Sequence, residues 1–144
     1  MSDTFDPLML GNQMCFPLYV CSKEIIRRYK PYLDPLDLTY TQYIALMVLW
    51  EKQRISVKEL GNCLYLDSGT LTPVLKKLES KGYITRTRSQ MDERNVIIDL
   101  TEQGLAIKDQ AQGIPQNMCA NVKLTPEERT QLFSLLVKML KGFD

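Results

Sequence analysis

Residues 68–100 constrain the fold of this chain more than any other segment. Within SGTLTPVLKKLES, leucines recur at every third or fourth position, a spacing that predicts the helix Ser68–Ser80 with one buried face. Gly82 follows where glycine commonly ends a helix. Two strand-like runs come next, Tyr83–Arg88 and Asn95–Leu100, joined by the polar tip SQMDER. This arrangement predicts a β-hairpin directly after a helix.

A second helix is predicted just upstream. Ser56 followed by Glu59 has the spacing of a capping box, which predicts that the short helix VKELGNCL begins there. A tight connection, Tyr65-Leu66-Asp67, then leads into the helix that begins at Ser68. Two short helices followed by a hairpin form a winged helix-turn-helix, so we expect a mainly α fold with a small β-hairpin wing.

Long helices are predicted on both sides of this core. Apolar residues recur with helical spacing over residues 9–30, although Pro17 predicts a kink or a late helix start beside Cys15. Pro31 and Pro35 are predicted to bracket a turn.

Thr39 is predicted to cap the apolar helix TYTQYIALMVLWEK. After the hairpin, Thr101 is predicted to cap a helix from about residue 102 to residue 109 or beyond, which Gly113 and Pro115 disturb. Thr125-Pro-Glu-Glu128 predicts the start of a last helix.

The terminal helices supply apolar surface that an isolated winged helix would not need. We therefore assign residues 1–38 to an N-terminal dimerisation helix and residues 39–101 to the winged helix-turn-helix. Residues 102–144 are assigned to C-terminal dimerisation helices, and all three parts are expected to form one intertwined dimeric domain.

Composition excludes several kinds of function. The chain has 144 residues, a net charge of +1, no histidine and four cysteines without a C-x-x-C pair. Without histidine, Ser–His–Asp catalysis, Cys–His catalysis and the H-E-x-x-H zinc site are impossible. We expect no enzyme activity, no metal and no cofactor. An acidic start and the lack of a long apolar run argue against a signal peptide or a membrane span and favour a cytoplasmic protein.

The helix that begins at Ser68 carries a candidate DNA-binding surface. If Leu71, Leu75 and Leu78 face the core, a set of polar side chains faces solvent: Ser68, Thr70, Thr72, Lys76 and Lys77. Small hydroxyls at a helix start suit close approach to base edges and phosphates, and free amides there add to the effect. The lysines suit phosphate contacts, which position a protein without reading sequence.

The hairpin adds Arg86, Arg88 and Arg94. Residues 68–95 contain six Lys/Arg and three Asp/Glu, a local charge of +3 in a nearly neutral chain. Arg94 is placed to enter a minor groove, and we expect Asp92 to brace it by an ion pair. The alternative is an ordinary solvated face. The coincidence with a helix-turn-helix and its wing favours double-stranded DNA as the partner.

These residues resemble a known pattern. DSGTLTPVLKKLESKGYITRTRSQMDERNVIIDLTEQG is similar to the recognition helix and wing of the MarR family of bacterial repressors, with D-E-R at the tip and L-T-x-x-G after it as the most specific signature. NQMCFPLY, RRYKPYLD, LTYTQYIALMVLWE and LYLDSGTLTPVLKKLE resemble the organic-hydroperoxide-sensing OhrR branch, from about residue 5 to residue 110. The resemblance implies an obligate homodimer that clamps a pseudo-palindromic operator and is released when a peroxide oxidises one cysteine.

The same resemblance maps the sensing thiol onto Cys15 and its stabilising tyrosines onto Tyr29 and Tyr40. Tyr19, four residues after Cys15, is placed to pack over the thiol from the same chain. Cys15 and Tyr29 are fourteen residues apart, or ~21 Å along one helix, so contact requires an antiparallel partner helix, which a symmetric dimer can supply. The alternative is that Cys15 is a small core hydrophobe, as free cysteines often are.

The other cysteines are interpreted separately. Cys21 and Cys63 are interpreted as structural. IPQNMCANVK is expected to place Cys119 between the last two helices. This is about where two-cysteine OhrR forms carry the resolving thiol, so the resemblance implies an intersubunit disulfide with Cys15. If Cys119 does not play this part, a small thiol would cap the Cys15 sulfenic acid.

Three other functions remain possible on the sequence. The first is a MarR-type repressor relieved by a small aromatic ligand without thiol oxidation. The second is a thiol peroxidase that uses Cys15 and Cys119, although such an enzyme has no evident use for a winged helix. The third is a nucleoid protein that binds DNA without sequence preference.

Overall fold

The hairpin expected after Gly82 is present in the computed structural model, which describes residues 4–92 and 94–143. In chain order the helices and strands are α1 Cys15–Leu33, α2 Tyr40–Lys52, β1 Arg54–Ser56, α3 Val57–Leu64, α4 Ser68–Ser80, β2 Ile84–Arg88, β3 Val96–Leu100, α5 Glu102–Ala111, α6 Ile114–Ala120 and α7 Pro126–Lys141. Short 3₁₀ turns occupy Leu10–Asn12 and Asp34–Leu36. The chain divides into two compact units, one up to Gln112 and one from Gly113.

The wing is a three-stranded antiparallel sheet, with β3 between β1 and β2. The expected two-stranded hairpin was therefore incomplete, because β1 pairs Ile55 with Ile98 across the sheet. Ser56 ends this strand and also caps α3, since its Oγ accepts a hydrogen bond from the Glu59 amide at 3.1 Å. A strand of three residues is too short to show an alternating pattern, which is why only the helix cap could be predicted from the sequence.

Side-chain caps set the other helix starts, largely as predicted. Thr39 caps α2 through a complete capping box with Gln42, and Thr125 caps α7 in the same way with Glu128. Such boxes satisfy two backbone donors that have no partner within the helix. Gly82 has a φ of 80°, a left-handed conformation that favours glycine, so the predicted stop after α4 is confirmed.

The two prolines of α1 behave differently from each other. The helix begins at Cys15, which places Pro17 in the first turn, where a missing N–H breaks no helical hydrogen bond. The late helix start is thus confirmed. The turn expected between Pro31 and Pro35 was wrong at its first end, because Pro31 lies inside α1. Pro31 removes only one backbone hydrogen bond, near the end of α1. The helix continues to Leu33, two residues later, which is 2% exposed.

The core of the first unit lies between α2, α3, α4 and the sheet. Leu71, Leu75 and Leu78 are each at most 1% exposed, which confirms the predicted buried face of α4. Large apolar side chains of α1 and α7, by contrast, remain exposed in the single chain: Phe16, Leu18, Val20, Ile25, Ile26, Leu132, Phe133, Leu135, Leu136 and Leu140. No helix in residues 4–92 and 94–143 has both the length and the apolarity of a membrane span.

The second unit contains a helix that the sequence analysis did not predict. Gly113 and Pro115 were expected only to disturb a helix, but α6 begins at Ile114 with Pro115 in its first turn. Ile114 and Met118 are its buried residues. Cys119 therefore lies within α6 and not between the last two helices as expected.

Candidate nucleic-acid interface and thiol site

The polar face predicted for α4 is present. Ser68, Thr70, Lys76 and Lys77 are exposed, and Thr72 is half-buried. The Thr72 hydroxyl donates to the Ser68 carbonyl at 2.6 Å, which leaves the hydroxyl oxygen as an acceptor toward solvent.

Asp67 caps this helix and changes its electrostatics. Its carboxylate accepts a hydrogen bond from the Thr70 amide at 2.7 Å. This bond, followed by one from the Thr70 side chain, lowers the pKa of Asp67, so the group stays ionised. The start of α4 consequently carries a negative charge instead of bare amides. This favours approach through the hydroxyls over a phosphate docked on the helix end, which revises the sequence-based expectation.

A cleft of about 630 Å³ opens between α3, α4 and the wing. It brings together four of the predicted residues, Ser68 and Thr72 from α4 and Arg86 and Arg94 from the hairpin. Sequence reasoning missed four polar lining residues, Lys58, Asn62, Asp67 and Asn95. Lys58 and Asn62 are four residues apart on α3, a spacing that places both on one helical face and could have identified them.

Arg86 is engaged inside the protein. Its guanidinium donates to both Glu79 carboxylate oxygens, at 3.1 and 3.3 Å, and the Arg86 side chain is only 24% exposed. The hydrogen bonds from Arg86 lower the pKa of Glu79. This ion pair ties strand β2 to helix α4, so Arg86 fixes the wing relative to α4 whether or not it also contacts DNA.

The tip of the wing is shaped by Asp92. Its carboxylate accepts from the Arg94 backbone amide at 3.0 Å, and its carbonyl accepts from the Asn95 amide at 2.9 Å. Within the described residues Asp92 does not pair with the Arg94 guanidinium, so the predicted ion pair was wrong. A two-residue separation favours the local turn, because the carboxylate reaches the nearby amide without ordering a long side chain. Glu93 lies outside the described residues, and Arg94 itself is exposed.

Cys15 is the first residue of α1 and is exposed. Within a single chain it is therefore not the core filler of the alternative interpretation. Cys21 and Cys63, interpreted as structural, are exposed as well, so neither fills the core of the chain. Tyr19 is 58% exposed on the same helix, with the Lys23 ammonium 4.8 Å from its ring centre.

The two predicted thiol-stabilising tyrosines meet in one cluster. The ring centres of Tyr29 and Tyr40 are 4.9 Å apart, and Tyr43 lies 5.8 Å from Tyr29. We call these three residues the tyrosine cluster. Tyr43, with Trp50 packed edge-on at 6.3 Å, was missed because both residues look like ordinary core positions of an apolar helix.

Burial keeps Tyr40 and Tyr43 protonated. It raises the pKa of Tyr40, and it raises that of Tyr43 together with the charge that Tyr40 would carry. A protonated phenol is a hydrogen-bond donor, which is what an anionic sulfur needs.

One chain cannot join Cys15 to this cluster. Cys15 and Tyr29 lie at opposite ends of one uninterrupted helix, ~21 Å apart along its axis at 1.5 Å per residue. The sulfur and the tyrosine hydroxyls can therefore form one site only between two chains.

Cys119 is exposed in α6 of the second unit. Its carbonyl oxygen accepts a hydrogen bond from the Arg129 guanidinium at 2.8 Å, which fixes the end of α6 against the start of α7.

Comparisons with known proteins identify the family to which this chain belongs. The family of SarA/Rot transcriptional regulators matches residues 27–111. The organic hydroperoxide resistance transcriptional regulator of Bacillus subtilis is 49% identical over 98% of this chain and 96% of its own length. The chain is a MarR-type transcriptional regulator of the SarA/Rot family. SarZ of Staphylococcus aureus is 46% identical over 94% of this chain and 92% of its own.

Solved structures extend the similarity to the fold. AbfR in its reduced form bound to DNA superposes with a TM-score of 0.78 at 34% identity, over 92% of this regulator and 93% of AbfR. A disulfide form of AbfR superposes with a TM-score of 0.68 at 35% identity, over 92% and 90%. The relatives are transcriptional regulators, so the interpretation as a thiol peroxidase is set aside.

Proposed function

We propose that this regulator is a redox-sensing repressor that binds operator DNA as a reduced homodimer. Oxidation of Cys15 by an organic hydroperoxide releases the DNA, through an intersubunit disulfide with Cys119. The observation that carries the proposal is the preformed pair Tyr29–Tyr40, 4.9 Å apart, at the far end of the helix that begins with Cys15.

This separation supports a homodimer. In a two-fold symmetric pair the same patch of each chain meets its copy, so antiparallel α1 helices would bring Cys15 of one chain to the tyrosines of the other. The apolar side chains exposed along α1 suit such a contact, because Phe16, Leu18 and Ile26 are each 40–45% exposed in the single chain.

The DNA-binding part of the proposal rests on the cleft between α4 and the wing. Ser68, Thr70 and Thr72 would approach base edges in a major groove, Lys76 and Lys77 would contact phosphates, and Arg94 would enter the adjacent minor groove. Arg86 and Asp92 would act by holding the wing and its tip in place. AbfR, which is bound to DNA in its reduced form, has the same fold.

The chemistry proposed for Cys15 is a two-electron oxidation. The thiolate attacks the outer peroxide oxygen, the O–O bond breaks, and after protonation the products are a sulfenic acid and an alcohol. Met14 and Phe16, 72% and 40% exposed, offer apolar contacts for the organic tail. The Cys119 thiol then attacks the sulfenic sulfur, which forms the disulfide and releases water.

The state of the tyrosines supplies the link to DNA release. Tyr29 and Tyr40 donate to a thiolate, and Tyr19 covers the thiol from the same chain. A sulfenic acid or disulfide is a weaker acceptor, so the helices that carry the tyrosines lose a partner and shift. The disulfide form of AbfR supports the formation of a disulfide in a relative.

The test combines a non-reducing gel, mass spectrometry and a DNA gel shift after one equivalent of cumene hydroperoxide. The probe is a duplex selected from a random pool by the reduced protein. A Cys15–Cys119 cross-linked dimer with loss of DNA supports the full proposal. If Cys15 is oxidised and DNA is lost without the cross-link, Cys15 remains the proposed sensor and Cys119 is removed from the mechanism. That result points to capping of the sulfenic acid by a small thiol.

Three variants sharpen the result. Cys15→Ser should keep its DNA after peroxide, and Cys119→Ser should lose the cross-link but not the sulfenic acid. Cys63→Ser is the matched control, since Cys63 is also exposed but has no proposed role. A Cys15→Ser variant that still releases DNA on peroxide treatment would contradict the proposal.

A second candidate is a repressor relieved by a small aromatic compound. A groove of about 260 Å³ beside Tyr40, lined by the apolar side chains of Ile26, Leu33 and Leu38, favours it. DNA release by such a compound from Cys15→Ser protein would support this alternative.

A further inference from the structure

Lys81 joins the end of α4 to residues 37–42, which form the start of α2 and the turn before it. It is the residue directly after α4 and directly before Gly82, and its side chain is 22% exposed. Its ammonium donates to Gln42 Oε1 at 3.1 Å and to the backbone carbonyl of Asp37, and it pairs with the Asp37 carboxylate at 3.5 Å. Two of the three N–H donors of the lysine thus have acceptors within residues 37–42, and the Asp37 carboxylate adds an ion pair.

Gln42 is the other half of this connection. It is 4% exposed and is the one buried polar residue in the described part of the chain. The same Oε1 also accepts the Thr39 amide at 3.1 Å, as part of the capping box that starts α2 at Tyr40. A single buried oxygen thus joins the turn that carries Tyr40 to the residue that ends α4.

We infer that Lys81 is a positioning residue that transmits a change at the tyrosine cluster to the DNA-reading helix and the wing. The inference rests on the proposed function, in which Tyr40 moves when Cys15 is oxidised. Tyr40 is the first residue of α2, so its displacement moves the capping turn and Gln42 Oε1 with it. The Lys81 ammonium must follow, because leaving a buried oxygen with a missing partner is costly.

Lys81 lies where a displacement of its side chain can move both α4 and the wing. It ends α4, and Gly82, with φ of 80°, turns the chain from Lys81 into strand β2. Arg86 in turn holds β2 to α4 through Glu79. A displacement of Lys81 therefore moves α4 and the wing together, and these two elements must keep a fixed spacing to fit two grooves.

The test is Lys81→Met, which keeps much of the apolar stem and removes the ammonium. For each protein, affinity for the selected duplex is measured in the reduced state and after stoichiometric cumene hydroperoxide, and the ratio of the two is compared. A uniform loss of DNA attraction cancels in this ratio. Coupling between sites commonly amounts to 5- to 150-fold, so the ratio should fall by roughly fivefold or more. The rate of Cys15 oxidation should not change.

Three further variants separate coupling from a merely structural role. Lys81→Arg keeps a cation with several donors and should retain most of the ratio. Lys52→Met removes one exposed charge from the last turn of α2 and should leave the ratio unchanged. If Lys81→Met does not fold, Gln42→Met removes the acceptor instead and should lower the ratio similarly.

The outcomes distinguish the two ideas. A wild-type protein that keeps its DNA affinity after Cys15 oxidation overturns the proposed function and this inference together. A wild-type protein that loses affinity, with an unchanged ratio in the folded variant lacking the Lys81–Gln42 bond, overturns this inference alone.

Discussion

Gly104→Ala should destabilise the fold, although alanine is the better helix former. Gly104 is the glycine of the L-T-x-x-G signature and lies in the first turn of α5. A Cβ there would lie 2.2 Å from the Tyr83 carbonyl oxygen and 2.6 Å from Leu100 Cδ1. The Tyr83 carbonyl is itself held, since it accepts the Thr101 amide at 3.0 Å. The first turn of α5 would have to move away from the foot of the wing.

The cost follows from the contacts that such a movement breaks. Overpacking typically costs about 1–3 kcal/mol. The Gly104 carbonyl accepts the Trp50 indole N–H at 2.8 Å and its amide donates to Thr101 Oγ1 at 3.1 Å, and loss of one such bond costs about 1 kcal/mol. The higher helix propensity of alanine offsets this loss of stability by about 1 kcal/mol. The free energy of unfolding should therefore fall by about 2 kcal/mol.

Trp50 is the only tryptophan of the chain, so its fluorescence reports urea unfolding and the loss of the Gly104 contact together. Variants are compared at one protein concentration, because dimerisation would add to the apparent stability. Gly69→Ala is the matched control, in the first turn of α4, where the nearest atom to a new Cβ is Asp67 Oδ1 at 3.4 Å. It should leave stability unchanged or raise it by up to about 1 kcal/mol. A Gly104→Ala midpoint at or above that of the wild type would refute the reasoning.

Three other predictions concern the wing and the thiol. Arg94→Ala should weaken operator binding roughly tenfold at matched salt and leave the oligomeric state unchanged, as checked by fluorescence anisotropy and sedimentation; equal affinity would remove Arg94 from the interface. Tyr29→Phe should slow Cys15 oxidation severalfold in a sulfenic-acid trapping assay, and an unchanged rate would exclude its hydroxyl from the site. The Glu79–Arg86 pair should contribute its full stability above the ordinary Glu79 pKa of 4.5 and lose it as the pH falls through the lowered pKa of the folded state. The small stability difference between wild type and Glu79→Gln should therefore shrink as the pH falls below that value, and a constant difference would count against the pair.

Local signals account for what the sequence predicted well. A cap and its helix lie within four residues, so Thr39, Thr101 and Thr125 could be located without knowledge of the tertiary structure. The buried leucine face of α4 and the stop at Gly82 depend on equally short patterns. The same holds for the separation of Cys15 from Tyr29, which follows from helix rise alone.

Contacts between distant residues account for what was missed. Strand β1 exists because residues 54–56 pair with 97–99, more than forty positions away. Trp50 finds its hydrogen-bond partner 54 residues along the chain. Neither a strand of three residues nor a single tryptophan carries a periodic sequence pattern. A short sequence window therefore cannot predict these two pairings.

The separation of the thiol from its tyrosines has a consequence for the proposed switch. If Cys15 and the tyrosine cluster met within one chain, oxidation could be absorbed by local rearrangement and the spacing of two DNA-reading heads need not change. Because ~21 Å of helix separates them, the sulfur can reach the tyrosine cluster only in another chain. In the proposed dimer, loss of that contact changes how two chains are held together. Tyr40 stands at the start of α2, and from there the Gln42–Lys81 contact runs to the end of α4. In the proposed switch, a change at one sulfur would thereby reach both DNA-reading helices through a subunit contact.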